Sequence, residues 1–132
     1  MKAVVLAGRI IFLMIFLMAA IGHFSSAEIA YASSAGVPMA SVLVPLSGII
    51  SAVGALSIIL GYKARIGALM LVVFLLPVTF YMHAFWSVTD PMMKQMQMAM
   101  FMKNMSALGG ALIICYFGSG PLSIDSRKET GK

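Results

Sequence analysis

Four stretches of this chain, each of about twenty residues, are apolar enough to cross a lipid bilayer. They run from about Val4 to Phe24, Ala40 to Leu60, Ile66 to Phe85 and Met98 to Phe117. Arg9 interrupts the first, and Lys103 and Asn104 the fourth. Charged residues make up 10% of the 132-residue chain, against about 25% in a soluble domain. That is too few to cover a water-facing surface, so the lipid bilayer is the expected solvent and first partner. The runs are too long for membrane strands and lack their apolar–polar alternation. The expected fold is all-α: one transmembrane four-helix bundle, residues 1–132, running up-down-up-down.

The first run needs a separate test. Met1-Lys2 and Ser25-Ser26-Ala27 resemble the basic start and the cleavage site of a signal peptide. The apolar stretch between them exceeds the roughly 7–15 residues of a signal core, which favours a retained helix. Charge asymmetry then sets the orientation. Lys2 and Arg9 flank the start of the first span, Lys63 and Arg65 the turn between the second and third, and Arg127, Lys128 and Lys132 lie in the tail. The opposite side has Glu28 in one loop and Asp90 with Lys94 in the other. The positive-inside rule places both termini in the cytoplasm. The net charge of +5 is thus divided into short clusters, which excludes a nucleic-acid surface.

Turn residues separate the spans. Ser33-Ser34-Ala35-Gly36-Val37-Pro38 closes a first outer loop from Ser25 to Ala40. Gly61 is a plausible C-cap, and Tyr62-Lys63-Ala64 makes a turn short enough to force antiparallel packing. Gly118-Ser119-Gly120-Pro121 stops the fourth helix. Ser47, Gly48, Ser51, Gly54, Ala55 and Ser57 offer the close backbone contact by which helices associate in lipid. Pro77 can kink the third span and aim the turn at His83. The single cysteine, Cys115, reads as a small core residue.

An ionisable side chain within a bilayer is costly and marks a candidate site. At 1.5 Å per residue, His23 lies about 21 Å beyond Arg9 and His83 about 27 Å beyond Arg65, both near the outer boundary of a core roughly 30 Å thick. Lys103 and Asn104 enter from the opposite direction, roughly 8 Å below the outer edge if the helix starts at Met98. Three helices thus bring four polar side chains to one depth band. Trp86 reads either as an interfacial anchor or as a wall over His83. If Lys103 faces inward it requires a carboxylate or an anionic ligand, and Glu28 and Asp90 are the available partners. The histidines are compatible with structural hydrogen bonding, proton handling, a quinone-like carbonyl or metal ligation. Met92, Met93, Met96 and Met100 share one face near His83, and thioethers suit Cu(I); the same residues also serve as flexible apolar filler.

Several segments resemble the DoxX family of small four-helix membrane proteins. They are Gly8-Arg9-Ile10 with Gly22-His23-Phe24, Leu60-Gly61 followed by Arg65, His83-Ala84-Phe85-Trp86, the run Phe101 to Gly110, and Gly118 to Asp125. Many members resemble it with lysine where this chain has His23. The resemblance implies a bacterial-type inner-membrane protein, and in some members quinone-linked redox work with a partner protein. The leading expectation is therefore a DoxX-like membrane component of a redox system. Its outer-leaflet pocket, lined by His23, His83, Trp86, Lys103 and Asn104, would take a small polar or quinone-type molecule. The alternatives are a Met/His copper-handling protein and a non-catalytic scaffold, with homo-oligomerisation left open. No phosphate loop, nucleophile elbow or paired-cysteine motif occurs, which disfavours a self-sufficient enzyme and leaves a membrane subunit of an oxidoreductase as the enzymatic option. Arg9 and Asp125 are expected to pair as a structural base to the bundle.

Overall fold

The computed structural model describes residues 1–130; Lys132, one of the basic tail residues, lies outside them, as does the side chain of Lys128. The elements are α1 (Lys2–Gly22), α2 (Ser26–Ser34), α3 (Ala40–Leu60), α4 (Ala64–Met82), α5 (Pro91–Phe117) and α6 (Ile124–Thr130), with a 3₁₀ turn at Phe85–Ser87. α1, α3, α5 and the stretch from α4 through that turn are long and apolar enough to span a membrane. α3 has the bounds expected from sequence.

Three boundaries differ from expectation, each for a local reason. The residues read as a first outer loop include α2, because the Ser25 hydroxyl accepts the Glu28 amide at 3.2 Å and caps its start. α4 ends at Met82, and His83 leaves helical geometry at φ −125°, ψ 39°. α5 begins at Pro91, about two turns before Met98. There Asp90 accepts the Met93 amide at 2.8 Å, and proline occupies a first-turn position whose N–H would be unsatisfied anyway.

α1 packs on α3, α3 on α4 and α4 on α5, with α2 folded against α3. The core contains Leu13, Phe16, Ile58, Leu71, Phe74 and Leu75. Apolar burial gives little drive to helix association in lipid, where close approach decides. Glycine permits that approach at two interfaces. A Cβ on Gly54 would lie 2.8 Å from the Gly67 carbonyl oxygen, across α3 and α4. One on Gly110 would lie 2.7 Å from the Phe12 ring, across α5 and α1. The turn from α3 to α4 uses Gly61 at φ +66°, as expected of a C-cap, and Lys63 at φ +50°.

At this end of the bundle the expected Arg9–Asp125 pair does not form. Arg9, only 5% exposed, donates Nη1 to the Ser119 carbonyl at 2.7 Å and Nη2 to the Leu122 carbonyl at 2.8 Å. Asp125 instead caps α4: Oδ1 accepts the Lys63 amide at 3.0 Å and Oδ2 the Ala64 amide at 3.2 Å. A helix N-terminus presents unsatisfied N–H groups and a positive dipole end, which suits a carboxylate. The Gly118–Ser123 turn presents carbonyls, which suit a guanidinium. Each charge is bonded to backbone rather than to the other, and Arg9 Nε is left buried without a partner.

Candidate functional site

At the opposite end a cavity of about 610 Å³ opens between the helices. Its walls are mainly apolar, with Phe16, Leu43, Ile50 and Phe74 among them, and Pro77 also lines it. His23, His83, Lys103 and Asn104 line it together, with Glu28 and Tyr31 from α2. Four of the five residues expected at a site therefore share one cavity. Trp86 does not. It is 53% exposed and packs edge-on against Phe85 and Phe101, with centroids 5.3 and 5.8 Å away. Its spacing from His83 would stack the two only on a continuous helix, and α4 has already ended.

His23 follows the last residue of α1 and is 8% exposed. Its Nδ1 lies 2.7 Å from the Ala19 carbonyl oxygen, and its ring lies 5.6 Å from that of Phe74. A carbonyl only accepts, so Nδ1 carries a proton and Nε2 makes no hydrogen bond within the protein.

His83 is held by a longer chain of bonds. Tyr31 donates its hydroxyl to the Met82 carbonyl at 3.1 Å. Gln97 Nε2 donates to that hydroxyl at 3.0 Å, which leaves Gln97 Oε1 to accept from His83 Nδ1 at 2.8 Å. The direction of the whole chain follows from the Met82 carbonyl, which has no proton to give. His83 thus carries an Nδ1 proton, as His23 does, with Nε2 unengaged. Tyr31 was not anticipated: an aromatic in an apparent loop carries no signal that it will reach the end of α4.

Lys103 and Asn104 sit at the middle of α5 rather than near its start, since the helix begins at Pro91. Neither expected carboxylate reaches Lys103. Asp90 caps α5, and Glu28 lines the same cavity without an ion pair to it. Asn104 is 7% exposed, and its carboxamide has no hydrogen-bond partner in the protein. Among the described residues no group of three or more His, Cys, Asp or Glu side chains is placed to hold a metal. The methionines considered for Cu(I), Met92, Met93, Met96 and Met100, are all exposed.

A family model, the SURF4 family, matches residues 1–130. The chain belongs to the SURF4 family. It is similar to a Surfeit locus protein 4 homolog of Drosophila melanogaster, 32% identical over 92 residues, which cover 67% of this chain and 33% of that protein. The matched region is thus about a third of the length of this curated relative. No solved structure matches the chain.

SURF4 membership corrects the DoxX reading. The resemblance rested on short segments in which single polar residues such as Arg9 and His83 stand among small and apolar ones, and small and apolar residues recur in helical membrane proteins for reasons of packing. The quinone-linked redox role stood on that resemblance and is withdrawn with it, and SURF4 membership lends no support to the copper-handling or scaffold alternatives. With its four apolar helices, this SURF4 chain is a multi-pass integral membrane protein.

Proposed function

We propose that this SURF4-family chain is a membrane-embedded binding protein whose cavity takes one amphiphilic molecule. The single observation behind this reading is a cavity of about 610 Å³, in the size range of small-molecule sites, with apolar walls and a convergent polar end. His23, His83, Lys103 and Asn104 would meet the polar head, and the walls around Leu43, Ile50 and Phe74 the apolar body. The orientation rests on charge. Arg9, Lys63 and the Asp125 cap gather at one end, while Glu28 and the His83–Gln97–Tyr31 chain lie at the other. We infer an up-down-up-down bundle with both termini in the cytoplasm and the cavity toward the far leaflet. The inner-membrane placement stood on the DoxX resemblance alone and falls outside this reading.

Photolabelling tests it. Protein in nanodiscs is exposed to a diazirine-bearing hexadecanol, and the labelled residues are mapped by mass spectrometry. Saturable labelling at Ile50 and Phe74, competed by unlabelled alcohol, is expected, with non-saturable labelling at Val53 and Leu56. Equal, non-saturable labelling at all four positions would overturn the cavity as a binding site.

A further inference from the structure

We infer that the polar end of this cavity selects an acidic headgroup, with Lys103 and Asn104 as its recognition pair. The inference rests on the binding role proposed above and names its ligand class.

A lysine within a membrane-spanning helix is costly unless it is paired, hydrated or able to reach the interface. Lys103 has no carboxylate partner, although one acidic residue, Glu28, borders the same cavity. The next residue, Asn104, is only 7% exposed and lines the same cavity, with no hydrogen-bond partner in the protein for its carboxamide. Two adjacent residues therefore present N–H groups to one space with nothing in the protein to receive them. An acidic group supplies what both lack: a negative charge and several acceptor lone pairs.

The histidines fit the same ligand. Each ring spends its Nδ1 proton on the protein, so each Nε2 is an acceptor when the ring is neutral. An acid that enters protonated can donate its hydroxyl proton to an Nε2 as a hydrogen bond. The groups around this site are His23, His83, Lys103, Glu28, Tyr31 and Tyr81. Only Glu28 opposes an anion. It sits on α2, at the rim, and sets a direction for the test: removing its charge should strengthen acid binding.

The experiment compares diazirine-bearing hexadecanoic acid with the alcohol of equal chain length in nanodiscs of phosphatidylcholine. The acid should compete for saturable labelling at least tenfold better than the alcohol. That preference should vanish in Lys103→Gln and Asn104→Leu, persist in Lys103→Arg, and grow in Glu28→Gln. Chromatographic homogeneity and an unchanged far-ultraviolet circular dichroism spectrum establish that each variant is folded. Adding phosphatidylglycerol to the nanodisc separates the sources: loss of acid labelling assigns the head to an acidic phospholipid, and no loss assigns it to a single-chain acid, both acidic. If acid and alcohol compete equally in the unaltered protein, the acidic-head inference fails while the cavity stands. If neither labels saturably, the binding role itself fails.

Discussion

Replacing Gly54 by alanine sets two opposed effects against each other at the α3–α4 contact. Alanine is favoured over glycine in a helix by about 1 kcal/mol. Against that, the new Cβ would lie 2.8 Å from the Gly67 carbonyl oxygen. That oxygen is backbone and cannot rotate away, so α3 and α4 must separate, and overpacking of this kind costs about 1–3 kcal/mol. The steric term at least cancels the gain, for a net loss of up to about 2 kcal/mol. At roughly 4 °C per kcal/mol for a domain of this size, Tm should fall by up to about 8 °C. Gly109→Ala is the matched control. Its Cβ would meet nothing within 4 Å, so only the propensity term remains and Tm should rise slightly. Thermal unfolding in detergent, followed by emission from the single tryptophan, Trp86, measures both. Gly67 makes the reciprocal contact with the Gly54 carbonyl at 2.8 Å, so Gly54→Ala with Gly67→Ala should cost less than the sum of the two, because one separation serves both. A Gly54→Ala protein as stable as Gly109→Ala would refute the claim that backbone proximity at this pair holds the helices.

Two further outcomes follow from hydrogen bonds at opposite ends of the bundle. Arg9→Ala strands the Ser119 and Leu122 carbonyls and should cost roughly 3 kcal/mol, given about 1.5–3 kcal/mol per charged hydrogen bond; an unchanged Tm would contradict it. Gln97→Leu removes the acceptor that holds the His83 Nδ1 proton, so the imidazole ¹⁵N spectrum of His83 should change from one tautomer to a mixture while His23 stays as it was.

The span of α3 was readable because its composition is uniform and Gly61 closes it. The early start of α5 was also written in the sequence, as Asp90 before Pro91, but the polar residues ahead of Met98, Lys94 among them, read as loop. They are helical because a membrane helix can extend past the hydrocarbon into water, where polarity no longer argues against it. The capping pattern of Ser25 and Glu28 announced α2 in the same way, and an apolar-run reading passes over a helix of nine residues. At the site, matched depth brought His23, His83, Lys103 and Asn104 together, since rise per residue is a fixed quantity. What depth could not give was rotation and partner. Trp86 left the site because the helix stopped beneath it, and Tyr31 entered because α2 folds against α3, from where its hydroxyl reaches the end of α4. Asp125 was legible as a structural residue but not as a cap, since its partners, the amides at the start of α4, are identical in chemistry at every helix start.

The Asp125 cap and the Arg9 bonds also constrain the order in which the protein can be completed. A chain emerges from its N-terminus, so Arg9 enters the membrane long before the carbonyls that receive it exist, and α4 begins without its cap. Until residues 118–125 arrive, the bundle holds a cation without acceptors and a helix start without a carboxylate. One short segment, made late, then fastens the first helix and the central turn together. The end of the molecule opposite the cavity behaves as a clasp that closes once, after the walls are in place.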